Sequence, residues 1–322
     1  LGVPINSMTS MEDVRLNRET VKTNYDYIVS DLEEGMEAFS NTKSKANIFR
    51  WNLTSAQLLA SRVFLYMQNY QKALESDKKT FGNQHPKVAV RLNNIGTALK
   101  DMGQTAEAIR YYDQALSIDR KALGDRHPIV AIRLTNLGSA YRELKDGEKM
   151  IACFEEALSI DMEAKGETHP DVMQDFLNLG VAWLELKEPE KALECFEPAM
   201  QINANNLSDG KMNLETAQIL TYAARALKIL EDEKAMAYFA KVIEIKKHYY
   251  GKTDLRLVSA LYEMGQICQE FNNLPQAKEC FEEAVKLEKT HVNPKDPKRS
   301  EGLSYLGLAL QKLGDAKKAL CY

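Results

Sequence analysis

The sequence contains little of what membrane-spanning and nucleic-acid-binding proteins require. Its longest uninterrupted apolar runs are only a few residues, which is too short for a helix that crosses a bilayer. Its 42 Lys and Arg residues and 46 Asp and Glu residues are spread along the chain, without a basic block of the kind that follows phosphates. These absences argue against a membrane-spanning segment and against nucleic acid as a partner.

Motifs for catalysis and metal binding are missing as well. The sequence has no HExxH, no GxSxG, no phosphate-binding loop and no GxGxxG after a predicted strand. Its five cysteines form no CxxC pair, and their odd number argues against a complete disulfide framework. Cys153, Cys195 and Cys280 each precede a Phe in similar stretches, which is typical of small core residues. We therefore expect no enzymatic activity and no cofactor.

What the sequence does contain is a repeat. A small residue that follows an apolar one recurs at intervals of 42, 42, 43, 42 and 42 residues, at Gly96, Gly138, Gly180, Ala223, Gly265 and Gly307. Twelve residues later most copies have Ala, and in the first five copies an aromatic residue follows four positions beyond that. Spacings of three and four keep such residues on one helix face. Each unit is therefore predicted to contain two helices, at about 87–102 and 105–122 in the first unit, with a turn at Gly103.

This arrangement of Gly, Ala, aromatic and Ala resembles the tetratricopeptide repeat. The 42-residue length, with LNNIG in the first helix and LGDRHP in the loop, resembles the repeats of kinesin light chain and its bacterial relatives. The resemblance implies an all-α fold, an α/α superhelix in which helical hairpins stack as a solenoid and their first helices line a concave surface. We expect residues 81–322 to form five full units and a truncated sixth, with a bend near 198–213 where Pro198 should kink or end a helix.

Three of the five histidines occupy equivalent places, at His85, His127 and His169, and each precedes a proline. The ligands of one zinc ion lie about 2 Å from the metal. Neighbouring packed helices lie about 8–10 Å apart, so equivalent loops of successive units should be too far apart to share an ion. We therefore interpret the histidines as structural, each preceding a proline suited to open a helix.

The candidate binding residues lie on the first helix of each unit. Asn recurs two positions before the glycine although it is unfavourable inside helices. Either it forms a hydrogen bond with the neighbouring helix or, as the resemblance implies, it holds the backbone of a bound peptide. The recurring cations are either groove residues or solvated face residues. The candidate groove residues are Asn94, Asn136, Asn178, Arg91, Arg133, Lys100, Arg142, Asn93, Leu177 and Val181. Such a groove would suit an extended peptide with acidic and hydrophobic residues.

The first 75 residues carry a different resemblance. GVPI, the spacing of Tyr25, Ile28, Asp31 and Leu32, and ASRVFLYMQNYQKAL at 60–74 resemble a segment of the SusD/RagB family of outer-membrane glycan-binding lipoproteins. This resemblance implies a separate helical segment at 1–80, ahead of the repeat array at 81–322.

Two functions follow from the two resemblances. The main hypothesis is a non-enzymatic scaffold that binds a peptide or a partner protein in the groove of the repeats. The alternative is an outer-membrane nutrient (glycan) uptake protein whose helical part docks a TonB-dependent transporter. The repeat array and the free cysteines favour the cytoplasm, whereas a SusD/RagB-like segment would place the protein in the cell envelope.

Overall fold

The computed structural model describes residues 70–207, 213–291 and 298–312, and within these ranges it contains twelve α-helices and no strand. The helices are α1 (Tyr70–Phe81), α2 (Pro86–Asp101), α3 (Thr105–Leu123), α4 (Pro128–Glu143), α5 (Gly147–Lys165), α6 (Pro170–Glu185), α7 (Pro189–Asn206), α8 (Leu214–Ile229), α9 (Lys234–Tyr250), α10 (Val258–Glu270), α11 (Leu274–His291) and α12 (Lys298–Lys312). A short 3₁₀ turn at Leu255–Leu257 precedes α10. The predicted all-α solenoid of helical hairpins is confirmed.

The hairpins are formed by α2 with α3, α4 with α5, α6 with α7, α8 with α9 and α10 with α11. We call α2, α4, α6, α8, α10 and α12 the first helices, and the others the second helices. The chain divides into two compact units, Leu1–Asp125 and Arg126–Tyr322. In the first unit α1 packs on α2, and Leu74 of α1 shares a core with Leu92 and Ile118. Because residues 1–69 lie outside the described ranges, a separate segment at 1–80 stays a prediction.

The glycines of the first helices are explained by the aromatic residues of the second helices. A Cβ atom added at Gly96, Gly138, Gly180 or Gly265 would lie 2.8, 2.8, 2.4 or 2.4 Å from Cε1 of Tyr112, Phe154, Phe196 or Phe281, respectively. All four rings are buried, so they have little room to move away. Each glycine therefore allows the two helices of a hairpin to pack closely around a large side chain.

One position of the predicted repeat register is wrong. The sequence pattern places Ala223 at the glycine position of the fourth unit, but Ala224 packs in the same core as Phe239, whereas Ala223 packs with the preceding hairpin. The ends of α8 agree with this, since its C-cap is Leu230 where α6 has Leu186. The true intervals are 44 and 41 residues on either side of Ala224. The insertion precedes α8, and the separation of Ala224 from Phe239, one residue shorter than that of Gly180 from Phe196, restores most of the register.

Pro198 does not end its helix, because α7 continues from Pro189 to Asn206. A proline inside a helix removes one hydrogen bond and crowds the preceding turn, and here the burial of Phe196, Ala199 and Ile202 along the same helix offsets that cost. Ile202 of α7 and Ile219 of α8 belong to one hydrophobic core. The predicted bend at 198–213 includes residues 208–212, which lie outside the described ranges.

The three His-Pro pairs are helix caps. His85, His127 and His169 each adopt an extended backbone conformation, and their Nδ1 atoms accept a hydrogen bond from the backbone N–H two residues later, at 3.1 Å in all three cases. The following proline occupies the first turn, where a missing N–H is tolerated. Asn213 forms a capping box with Thr216, and Asp254 caps the 3₁₀ turn before α10. The histidines therefore have the structural role that the sequence indicated.

Candidate functional site

The candidate site is a surface of the first helices α4 and α6 in the second compact unit. We call it the amide face and define it by Ile132, Asn136, Arg142, Asn178 and Val181. Ile132 is 50% exposed, whereas Asn136, Asn178 and Val181 are half-buried. The two helices approach each other near their C-terminal ends, where Arg142 Nε lies 3.8 Å from Glu185 Oε1. The amide face thus combines an exposed aliphatic side chain with amide groups and a single cation.

The asparagines differ in their local contacts. Gln174 Nε2 donates a hydrogen bond to Asn178 Oδ1 at 3.0 Å, within one exposed turn of α6. The Asn178 amide is therefore held by its own helix, and Gln174 and Asn178 together present both donors and acceptors. Asn136 is half-buried on α4, and Asn94 is half-buried on α2 in the first unit.

Three of the candidate groove residues are buried, and a fourth, Arg91, is half-buried. Arg133, Leu177 and Asn93 are only 6%, 3% and 8% exposed. The Arg91 side chain is 14% exposed, and its Nε forms an ion pair with Asp77 Oδ2 of α1 at 2.7 Å. Arg91 is thus engaged by Asp77, and Arg133, Leu177 and Asn93 present little surface to solvent. A groove role for these four residues stays a prediction. Lys100 is half-buried, and the Arg142 side chain, at 42% exposed, is the most accessible of the four candidate cations that the sequence singled out.

The row of asparagines changes its chemistry at α8. With Ala224 in the glycine position, the equivalents of Asn178 are Tyr222 on α8 and Glu263 on α10. The Arg225 guanidinium forms two hydrogen bonds with Glu263, both 2.8 Å long, and lies 5.4 Å from the centre of the Tyr222 ring. Hydrogen bonding to Glu263 raises the pKa of Arg225. Beyond α6 this row therefore holds Tyr222 and Glu263 instead of asparagine, and Glu263 is paired with Arg225. The one-residue error in register concealed the place of Tyr222.

A buried polar position recurs in the second helices, and the sequence reasoning missed it. It is filled by Asp77, Asp119, Asp161, Asn203, Lys246 and Glu288. Five of these six residues are buried and Lys246 is half-buried. Asp77 pairs with Arg91, Asn203 donates to Thr216 Oγ1 at 2.8 Å, and Glu288 accepts from the Tyr262 hydroxyl at 2.6 Å. The signal available in the sequence was a polar residue eleven positions after the aligned residue of each second helix from α3 onward, which is Ala in four copies and Met150 in the other.

The described cysteines are core residues. Cys153, Cys195, Cys268 and Cys280 are buried, and none of these four forms a disulfide. Burial raises the pKa of the Cys195 and Cys268 thiols to about 11 and that of Cys280 to about 12, so these three thiols are protonated at neutral pH. A protonated, buried thiol is a poor nucleophile and a poor metal ligand.

The described ranges contain neither a metal-binding cluster nor a membrane-spanning helix. There, no group of three or more His, Cys, Asp or Glu side chains is arranged to hold a metal ion. Among the same residues, none of the helices has the combination of length and apolar character needed to cross a membrane.

The family is identified by comparison with known proteins. A family model of the tetratricopeptide repeat matches residues 68–121, 92–149, 130–205 and 215–290. The chain therefore belongs to the tetratricopeptide repeat family, whose members are generally non-enzymatic interaction scaffolds. The matches begin at residue 68, so they lend no support to the SusD/RagB resemblance of residues 1–75, which stays a prediction. No curated protein matches the chain.

Solved structures share the fold at low sequence identity. Kinesin light chain TPR-like repeats from Podosopora anserina are 19% identical, with a TM-score of 0.58 over 65% of this chain and 99% of that one. BtubC (BKLC) from P. vanneervenii is 18% identical, with a TM-score of 0.53 over 70% of this chain and 92% of that one. The C-terminal part of a TPR repeat-containing protein from Cytophaga hutchinsonii is 18% identical, with a TM-score of 0.54 over 87% and 98%. The kinesin-light-chain-like repeat predicted from the sequence is thus found among its structural neighbours.

Proposed function

We propose that the protein is a non-enzymatic scaffold whose amide face binds an extended peptide segment of a partner protein. The observation that carries this proposal is the recurrence of Asn136 and Asn178 at one position of adjacent first helices, both half-buried, beside the exposed Ile132. An amide side chain can donate to a peptide carbonyl and accept from a peptide N–H at the same time. Such contacts hold a peptide backbone regardless of its sequence, while apolar side chains select for residue type.

The chemistry of the face indicates what the peptide should contain. Ile132 and Val181 offer apolar contacts, so the peptide should carry hydrophobic side chains. Arg142 lies 3.8 Å from Glu185, which is longer than a close charged hydrogen bond. An acidic side chain of the peptide would therefore compete with Glu185 for Arg142. The preference for acidic residues rests on this single cation, because Arg133 is buried and Arg91 is paired with Asp77.

The proposal can be tested with a library of extended peptides displayed against the purified chain, followed by affinity measurements on the selected peptides. We expect Asn136→Ala and Asn178→Ala each to weaken binding by about five- to thirtyfold, which corresponds to about 1–2 kcal/mol for lost hydrogen bonds. Arg142→Ala should weaken binding only of peptides with an acidic residue.

The matched control is Gln201→Ala, which removes an exposed amide from the second helix α7 rather than from a first helix. It should leave the affinity unchanged. Equal binding by the wild type, Asn136→Ala and Asn178→Ala would contradict the assignment of the amide face, as would an equal loss with Gln201→Ala.

A further inference from the structure

Two buried carboxyl groups meet at the junction between α5 and α6. Asp161 is 4% exposed and Asp175 is 7% exposed. One oxygen of each group, Asp161 Oδ1 and Asp175 Oδ2, is buried and has no hydrogen-bond donor. The two carboxyl groups are nevertheless close enough for a hydrogen bond if one of them carries a proton. A pair of this kind is costly when both groups are ionised and satisfied when they share a proton.

The equivalent junction between α1 and α2, in the first compact unit, is built differently. There the equivalents of Asp161 and Asp175 are Asp77 and Arg91, which form an ion pair at 2.7 Å. An aspartate thus occupies, in the third hairpin, the place of an arginine. Asp161, the equivalent of Asp77, therefore faces a second carboxyl group instead of a guanidinium group.

One cation partly compensates for this change. Lys165 Nζ lies 2.8 Å from Asp161 Oδ2 and 2.6 Å from Asp171 Oδ2. Lys165 is therefore shared between Asp161 and Asp171, and it hydrogen-bonds neither of the two donor-less oxygens. The charged groups that act on Asp175 are Asp161 and Lys165 from α5 and Asp171 from α6 itself. Among the described residues, α7 and α8, which also pack on this region, contribute no charged group to that set.

We infer that Asp175 holds a proton that it donates in a hydrogen bond to Asp161, and that this pair makes the α5–α6 junction a proton-sensitive joint. This inference does not depend on the proposed function of the amide face. With the proton bound, the carboxyl pair ties α5 to α6. When the proton is lost, two buried carboxylates repel each other, and α6 separates from α5 more often.

The direction of the pH dependence follows from linkage. Burial, followed by the charge of Asp161, raises the pKa of Asp175 to about 7, whereas an exposed Asp has a pKa of about 3.9. A raised pKa in the folded state contributes stability that is present in full below about pH 4 and is lost as the pH rises to about 7. Opening of the joint should therefore become more frequent by up to about tenfold per pH unit across that window, and then level off.

Hydrogen exchange measured at several pH values, with correction for intrinsic exchange rates, tests this inference. In the wild type we expect the opening equilibrium of the α6 amides to increase by about a hundredfold between pH 5 and pH 8. The amides of α10 serve as an internal reference and should change far less. Asp175→Asn removes the titrating group and supplies a donor for Asp161, so it should reduce the change at α6 to less than about threefold.

Two further variants separate the carboxyl pair from simple burial. Asp175→Arg restores the pairing seen between Asp77 and Arg91, and it should remove the pH dependence while protecting α6 at pH 8. Asp161→Asn leaves Asp175 in place without its partner charge, and it should lower the pH at which opening levels off. The inference is overturned if α6 and α10 respond equally to pH in the wild type, or if Asp175→Asn retains the wild-type response.

Discussion

At the scale of single residues, each glycine of a first helix is required by the aromatic ring of the second helix that packs against it. The Cβ that Gly180→Ala would add lies 2.4 Å from Cε1 of Phe196, a ring with no exposed surface. Overpacking of this kind typically costs about 1–3 kcal/mol, because buried neighbours can shift only slightly. We expect Gly180→Ala to lower the free energy of unfolding by that amount in urea denaturation.

The control for this substitution is the ring itself. Phe196→Leu alone should be destabilising, because it removes buried volume. Combined with Gly180→Ala it should cost less than the sum of the two single effects, since the added methyl group then occupies part of the vacated space. Simple additivity of the two free energies would contradict a direct contact between Gly180 and Phe196.

The recurring arginines show why a repeated residue is a weak sign of ligand binding. Arg91 and Arg133 recur at one position, and recurrence on a predicted first helix suggested a ligand contact. A repeat, however, conserves its internal packing in every copy, so a recurring charge can equally neutralise a buried partner, as Arg91 does with Asp77. Asp175, which stands where the first two hairpins have Arg91 and Arg133, was more informative than the recurring arginines. Its carboxyl group is buried at a position where an arginine would supply a positive charge.

At the scale of elements, each first helix depends on a cap that leads the chain in from the preceding second helix. His127 Nδ1 accepts from the N–H of Ile129 at 3.1 Å and so satisfies one of the donors that a helix start leaves unpaired. His127→Ala should therefore destabilise the protein by about 1 kcal/mol, the usual contribution of a side-chain cap. Urea denaturation followed by circular dichroism would measure this loss.

The chain offers a natural control for the cap. Asp254 takes the equivalent role before α10, where its Oδ1 accepts from the N–H of Arg256 at 2.8 Å. His127→Asp should therefore retain the wild-type stability, or exceed it slightly, because a negative charge is favourable at a helix N-terminus. A loss as large as that of His127→Ala would show that the histidine ring acts through packing and not through its cap.

Helix boundaries were the most predictable part of the fold. The predicted first hairpin, about 87–102 and 105–122, is within about one residue of α2 and α3 at each end, because glycine and proline mark the turns. The register of α8 was less predictable, since two adjacent alanines, Ala223 and Ala224, fit the small-residue position equally well. Only the contact with Phe239 distinguishes them. Of the two outcomes expected at Pro198, only the end of the helix is wrong, because buried contacts along α7 outweigh the local cost of a proline.

At the scale of the whole molecule, a repeat protein is stabilised mainly by contacts between neighbouring hairpins. In the second compact unit, one hydrophobic core extends from α5 to α8 and another from α8 to α12. Both cores include residues of α8, which carries Ile219 and Ala223 toward one and Ala224 and Leu227 toward the other. Helix α8 therefore joins the two cores, together with Leu193 and Met200 of α7 and Tyr238 of α9, which pack against both.

This arrangement predicts how far the effect of a local change extends. Gly180→Ala disturbs the core that contains Phe196, and its effect should decline with each hairpin because each hairpin contacts only its neighbours. Hydrogen exchange should show faster opening of α6 and α7, a smaller change in α8 and α9, and almost none in α10 and α11. As the reciprocal control, Gly265→Ala should place the largest change at α10 and α11, because its Cβ would lie 2.4 Å from Cε1 of Phe281. Uniform acceleration along all these helices in either variant would instead indicate that the second unit unfolds as a single cooperative body.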